Sequence, residues 1–248
     1  MSPANITFYV LWIAPALLLA GLAIAMRVRR LDREWPAFFA YCVFSAARTP
    51  ILFWVYHQTT TYFYCYWAAA AASAILGLAA IYEVFLHLFR SYDTNARLAQ
   101  SLFRWVGAVL VLAAAVTAMA VPGNDANRLM AASLVVTRSM LLVQCGLLLF
   151  LFAAAAYLRL SWRSHAFGIA MGFGLFIGVQ LAQGAARAQV GLISDQALNL
   201  VKMAAYNCAV LVWMTYLLAP QRAAVAEVAP VATEVKSWNQ ALLQLLLR

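Results

Sequence analysis

The chain is 248 residues long, 66% hydrophobic and 10% charged, with a mean hydropathy of +0.83 and a formal net charge of +9. So high an apolar fraction excludes an ordinary water-soluble domain, and the chain reads as an all-α, polytopic membrane protein. In a soluble protein the positive balance would point to nucleic acid, but here the basic residues collect in alternate short loops, so no nucleic-acid partner is expected.

A bilayer core about 30 Å thick takes roughly 20 apolar residues in a helix. Seven stretches meet that requirement, at approximately 5–26, 36–56, 62–89, 102–121, 129–158, 166–187 and 196–218. Their short connections predict a single seven-helix bundle over 1–219, followed by a tail over 220–248. Arg27, Arg29, Arg30 and Arg33 follow the first segment, Arg90 and Arg97 the third, and Arg159 and Arg163 the fifth, whereas the intervening loops hold one basic residue or none. The positive-inside rule then places the N-terminus outside and the C-terminus in the cytoplasm, and the arginine bias suits a bacterial inner membrane.

Segment one carries the small-x-small triplet Ala23-Ile24-Ala25 but no basic residue before its apolar run, so it reads as an uncleaved first helix. Along segment two, Tyr41, Ser45 and Arg48 share a face, and Pro50 removes a backbone hydrogen bond near Ala46. Arg48 falls about 18 Å along the helix from its cytoplasmic end. Segment three has a run of small residues from Ala68 to Ala72 and Gly77, which predicts tight packing, and ends in Glu83, His87 and Arg90 at i, i+4 and i+7. That trio reads first as a salt-bridged helix end and second as a proton-sensing or metal-binding group. No second histidine pair completes a metal site, so neither metal nor cofactor is expected.

Segment five places Arg138 about 14 Å from its outer end. Segment six contains Gly168-x-x-x-Gly172 and Gly174-x-x-x-Gly178, whose two faces predict close neighbours on two sides, and beyond them Gln180, Gln183 and Arg187 form a polar stripe. Segment seven repeats that pattern with Asp195, Asn199, Lys202 and Tyr206. Aromatic residues mark both membrane boundaries, with Trp54, Tyr62, Tyr66 and Trp67 outside and Trp35, Trp105 and Trp162 inside. Cys42, Cys65, Cys145 and Cys208 fall in different segments and read as packing residues. The tail regains helical spacing over about 234–247, an amphipathic helix that suits the inner leaflet, a protein partner or a second copy of the chain.

Polar faces on membrane helices must turn inward, because lipid cannot satisfy their hydrogen bonds. The stripes on segments two, five, six and seven therefore predict an outward-facing basic cavity lined by Arg48, Arg138, Gln180, Gln183, Arg187, Asn199, Lys202 and Tyr206. No carboxylate sits at the depth of Arg48 and Arg138, so their expected partners are amides, carbonyls, water or an anionic group of a ligand or lipid. A retinal site does not fit, because Lys202 lies about two turns into its helix and segment three offers no midplane counterion. No catalytic constellation is recognisable, which argues against an enzyme. The expected function is a receptor-like or accessory protein binding a small anionic or amphipathic ligand. A small-molecule or anion transporter and a structural subunit are the alternatives.

Overall fold

The structure, a computed structural model, describes residues 3–55, 59–89, 108, 112, 125–157, 164–189 and 195–219. Among them six helices follow one another: α1 (Pro3–Val28), α2 (Pro36–Val55), α3 (Thr59–Phe89), α4 (Asp125–Tyr157), α5 (His165–Gln189) and α6 (Asp195–Leu218). Their ends agree with six of the seven apolar segments to within about four residues. The segment 102–121 and the tail helix expected over 234–247 lie outside the described residues. Five of the six helices are long and apolar enough to cross a membrane, and α4 contributes a shorter apolar stretch, Ser139–Ala153. The protein is therefore a helical membrane protein. Exposure agrees with this: Val10, Ile13, Leu17, Ile24 and Val28 form an outward stripe on α1 that lipid, not water, would solvate.

Each helix packs on the next in sequence, α6 closes the ring against α1, and α3 also meets α5 across it. Residue pairing gives the directions. Gly168 faces Tyr216 and Gly172 faces Trp213, while Gln183 reaches Leu198, so α5 and α6 are antiparallel. Asn207 bonds the carbonyl of Leu11 and Arg29 those of Leu217 and Leu218, so α1 and α6 run parallel. Likewise Gln144 bonds the carbonyl of Ala74 while Phe150 stacks on Phe85, so α3 and α4 run parallel.

Glycine positions the α5–α6 contact. A Cβ at Gly168 would overlap Tyr216, and one at Gly172 would overlap Trp213, so only the missing side chains let the aromatic rings lie against the α5 backbone. Trp213 then donates Nε1–H to the carbonyl of Ile169 at 3.0 Å. The second glycine pair divides: Gly174 meets Phe152 of α4 at 3.3 Å, and Gly178 faces open space. At Gly77 of α3 a Cβ would stand 3.1 Å from Gln144 Nε2 and 3.7 Å from Phe173, which is how α3 approaches both α4 and α5.

The α1–α2 turn, 29–35, is built as a helix stop. Arg30 adopts φ 59°, Leu31 N bonds Met26 O at 2.9 Å and Arg30 N bonds Arg27 O at 3.2 Å, the paired bonds of a Schellman ending. Leu31 and Met26, which this motif brings together, are both buried. With four arginines at or beside it, the turn marks one end of the bundle, called here the basic end.

Burial is lopsided along the bundle axis. The continuous core runs through Leu19 to Met26, Trp35 to Cys42, Ala80 to Leu88, Val143 to Ala155, Ala166 to Ile177 and Ala205 to Leu217, all in the half nearer the basic end. In the far half α3 buries no side chain between Thr61 and Leu76, and α5 none between Gly178 and Ala186. Among the described side chains Pro15, Leu52 and Leu198 are the far-half exceptions. Burial among the described side chains is concentrated at the basic end and sparse at the other.

Candidate functional site

The interior polar groups gather where the packed half gives way to the loose half. Tyr41 of α2, 4% exposed, is central to them. Its ring lies 5.0 Å from Phe173 of α5 and 5.8 Å from Trp213 of α6, both near-perpendicular. Phe38, one turn earlier, adds edge contacts to the same two rings at 6.1 and 5.3 Å. Edge-to-face contacts of this kind favour a fixed interlocked geometry, so Phe38, Tyr41, Phe173 and Trp213 form an aromatic plug across the ring. Through these side chains α2 reaches α5 and α6, with which it has no close backbone approach among the described residues.

Above the plug the hydroxyl-bearing side chains of Tyr41 and Ser45 of α2 and Tyr206 of α6 lie near one another. Tyr206 also leans on Phe176 of α5, with ring centroids 4.7 Å apart. Arg48, one turn beyond Ser45, is close enough for its charge to act on the Tyr206 hydroxyl, and its guanidinium carbon stands 6.0 Å from the centre of the Tyr66 ring on α3. Thus α2, α3 and α6 bring a cation, an aromatic face and hydroxyl-bearing side chains into one neighbourhood. No carboxylate lies within ion-pair distance of Arg48 among the described residues, where the ion pair found is Arg27 with Asp32 at the basic end.

Magnitudes decide what Arg48 lacks. A guanidinium within a membrane helix costs at least about 2.5–3.5 kcal/mol on insertion scales. A cation–π contact at the limit of its range returns about 0.5–1 kcal/mol when exposed and about 2 when desolvated.

The other residues expected in the cavity have different placements. Gln183 donates Nε2–H to the carbonyl of Leu198 and so serves the α5–α6 contact. Gln180 is half-buried on α5, Asn199 is exposed on α6, and Lys202 is half-buried one turn from Tyr206. The side chains of Arg138 and Arg187, and all of Arg90, lie outside the described structure. Three further donors tie neighbouring helices and are not visible as sequence stripes: Gln144 to Ala74 O at 3.0 Å, Asn207 to Leu11 O at 3.1 Å, and Trp213 to Ile169 O. Gln144 and Trp213 use the second lone pair of a carbonyl within its own helix, whereas Pro15 has no N–H to give Leu11 O, so Asn207 supplies the donor that this carbonyl lacks.

At the basic end Glu83 makes no ion pair among the described residues, and Arg90 lies outside them. Its Oε1 accepts the amide of Ala37 at 3.1 Å and its Oε2 that of Phe38 at 3.0 Å. Pro36 begins α2 without a donor, and Phe39 N already bonds Trp35 O at 2.9 Å. One carboxylate from α3 therefore satisfies the amides that α2 would otherwise leave open at its start, with its charge against the positive end of the helix dipole. His87 donates Nδ1–H to the carbonyl of Glu83 at 3.0 Å, the only direction a carbonyl acceptor permits, and stacks on Trp35 at 4.0 Å. Arg29 bonds Leu217 O at 3.3 Å and Leu218 O at 2.8 Å, which caps the C-terminus of α6. No group of three metal-ligating side chains occurs among the described residues.

The chain matches no protein-family model, no curated protein and no solved structure.

Proposed function

We propose that the protein is a receptor-like or accessory binding protein whose ring of membrane helices holds a small anionic or amphipathic ligand at Arg48, in a cavity open to the far side. The observation that carries this reading is the burial asymmetry. A guanidinium with no carboxylate partner among the described residues sits where the described side chains pass from well buried to little buried, above an aromatic plug. The cavity includes Lys202 and Tyr206 beside Arg48, with Gln180, Asn199, Arg138 and Arg187 as further lining. Lipid supplies the surrounding solvent, and the tail around 234–247 is the segment proposed to contact the inner leaflet, a protein partner or a second copy.

The finer topology is seven spans with the N-terminus outside. Its support is the parallel course of α3 and α4, and again of α1 and α6. Two parallel helices in succession require the chain between them to return from one end of the bundle to the other, and 102–121 is apolar and long enough to do so through lipid. The arginines of the basic end put that end in the cytoplasm. A bacterial inner membrane is the proposed location. Transport, the alternative, needs a route past Phe38, Tyr41, Phe173 and Trp213, which interlock across the ring.

Native mass spectrometry of the full chain, released from mild detergent, tests the reading. The wild-type protein is expected to retain one anionic molecule per chain and Arg48→Leu to lose it. Equal retention by the variant would return Arg48 to a purely structural part.

A further inference from the structure

The arginine-rich turn at the basic end holds two charges that the described residues leave unused. Arg27 pairs with Asp32, and Arg29 is spent on the carbonyls of Leu217 and Leu218. The side chains of Arg30 and Arg33 are exposed and make no ion pair among the described residues. Four arginines stand against two carboxylates, Asp32 and Glu34, over 27–34, so the turn carries a surplus of positive charge. We propose that Arg30 and Arg33 bind the phosphate of an anionic phospholipid whose acyl chain lies on the outer face of α1, in the notch left by Gly21. Arg48 stands about 18 Å along α2 from its start, so this site is separate from it and does not depend on what Arg48 binds.

The backbone brings the two arginines together. Arg30 takes the φ of 59° that stops α1, and Arg33 N bonds Arg30 O at 3.4 Å. That bond closes a four-residue turn, which holds the two Cα atoms within about 7 Å of each other. Both guanidinium groups can then reach one phosphate, whose oxygens accept paired N–H bonds from each. Glycine or asparagine suits a left-handed helix stop better than arginine does, so the stop itself does not call for this side chain.

The apolar part of the site leads into the turn. Leu17, Gly21, Ile24 and Val28 recur at intervals of four, three and four, which keeps them on one face of α1, and all four are exposed. From Leu17 to Val28 is about 16 Å at 1.5 Å per residue, the depth of one leaflet of a core about 30 Å thick. The stripe thus follows the path of an acyl chain below its headgroup. At Gly21 nothing lies within 4 Å of a would-be Cβ, so a chain can press there against the helix backbone between Leu17 and Ile24. A choline headgroup would bring its own cation toward Arg30 and Arg33, whereas a glycerol headgroup leaves the phosphate charge uncancelled. Charge selects the headgroup, and the stripe holds the chain.

The test places the full chain in nanodiscs of equal parts phosphatidylglycerol and phosphatidylcholine and counts by native mass spectrometry the lipids that stay bound on release. A basic residue near an anionic surface is worth about fivefold, so the two arginines should favour phosphatidylglycerol by about 25-fold. Arg30→Asn with Arg33→Gln should remove that factor, asparagine being chosen because it tolerates the left-handed backbone. Arg30→Lys with Arg33→Lys keeps the charge without the fork and should lose a smaller part, which a folding defect in the first pair would not imitate. Gly21→Leu should lower retention of both lipids about threefold and leave their ratio unchanged. Arg48→Leu should keep the wild-type preference. A wild type without preference, or an asparagine–glutamine pair that keeps it, overturns the proposal. Loss of the preference in Arg48→Leu would overturn it too, by placing the lipid at Arg48, and full retention in Gly21→Leu would overturn the chain's place on α1.

Discussion

Glu83→Ala is expected to destabilise the bundle by about 2–5 kcal/mol, because it leaves the amides of Ala37 and Phe38 without acceptors in a site that water does not reach easily. Each unsatisfied buried donor costs about 1–3 kcal/mol, and the helix dipole loses its counter-charge as well. Glu83→Gln should fall between, since it keeps one acceptor oxygen and sets an amide NH2 against an amide donor. Unfolding of the purified protein in increasing denaturing detergent measures both. An alanine variant within about 0.5 kcal/mol of the wild type would contradict the capping role. The larger consequence is mechanical: this carboxylate is what anchors the start of α2, the helix that carries Tyr41, Ser45 and Arg48.

Gly172→Ala should be comparably damaging. The added methyl would overlap the Trp213 ring, which is fully buried and bonded to Ile169 O. The ring cannot swing away without breaking that bond and entering the space of Phe38 and Phe173. Overpacking of about 1–3 kcal/mol and a lost hydrogen bond of about 1 kcal/mol give an expected destabilisation of about 2–4 kcal/mol. Gly178→Ala supplies the control on the same helix: nothing lies within 4 Å of its would-be methyl, so it should be neutral or slightly stabilising. Equal effects at the two positions in the same unfolding assay would mean that the glycines matter for the helix itself and not for its contact with α6.

Much of the bundle is legible in the sequence because membrane insertion writes a one-dimensional signal, about 20 apolar residues per span. Six helices follow the apolar segments for that reason, and the Gly168-x-x-x-Gly172 spacing correctly marks a close helix contact. Spacing also aligns Tyr41, Ser45 and Arg48 on one face of α2. What it does not encode is which face meets which. Glu83 accepts from the start of a helix about 45 residues earlier in the chain, a contact that its i+4 and i+7 spacing to His87 and Arg90 does not announce. Gln183 belongs to a polar stripe by period yet spends its amide on Leu198, and Gln144 and Asn207 are lone amides with no periodic signal that tie helices together. Tyr41 and Tyr206, far apart in the chain, are brought to the same Trp213 ring by packing across the bundle.

Sided labelling of Ser45→Cys, in a chain whose four native cysteines are replaced by alanine, tests the central claim most directly. A membrane-impermeant, negatively charged methanethiosulfonate is added to sealed vesicles of either orientation. The account predicts reaction from the side opposite the arginine-rich 29–35 turn, suppression of that reaction by Arg48→Leu, and none from the basic side, which the aromatic plug closes. Reaction from the basic side, or from neither, would show that no cavity opens from the far half of the bundle onto Arg48.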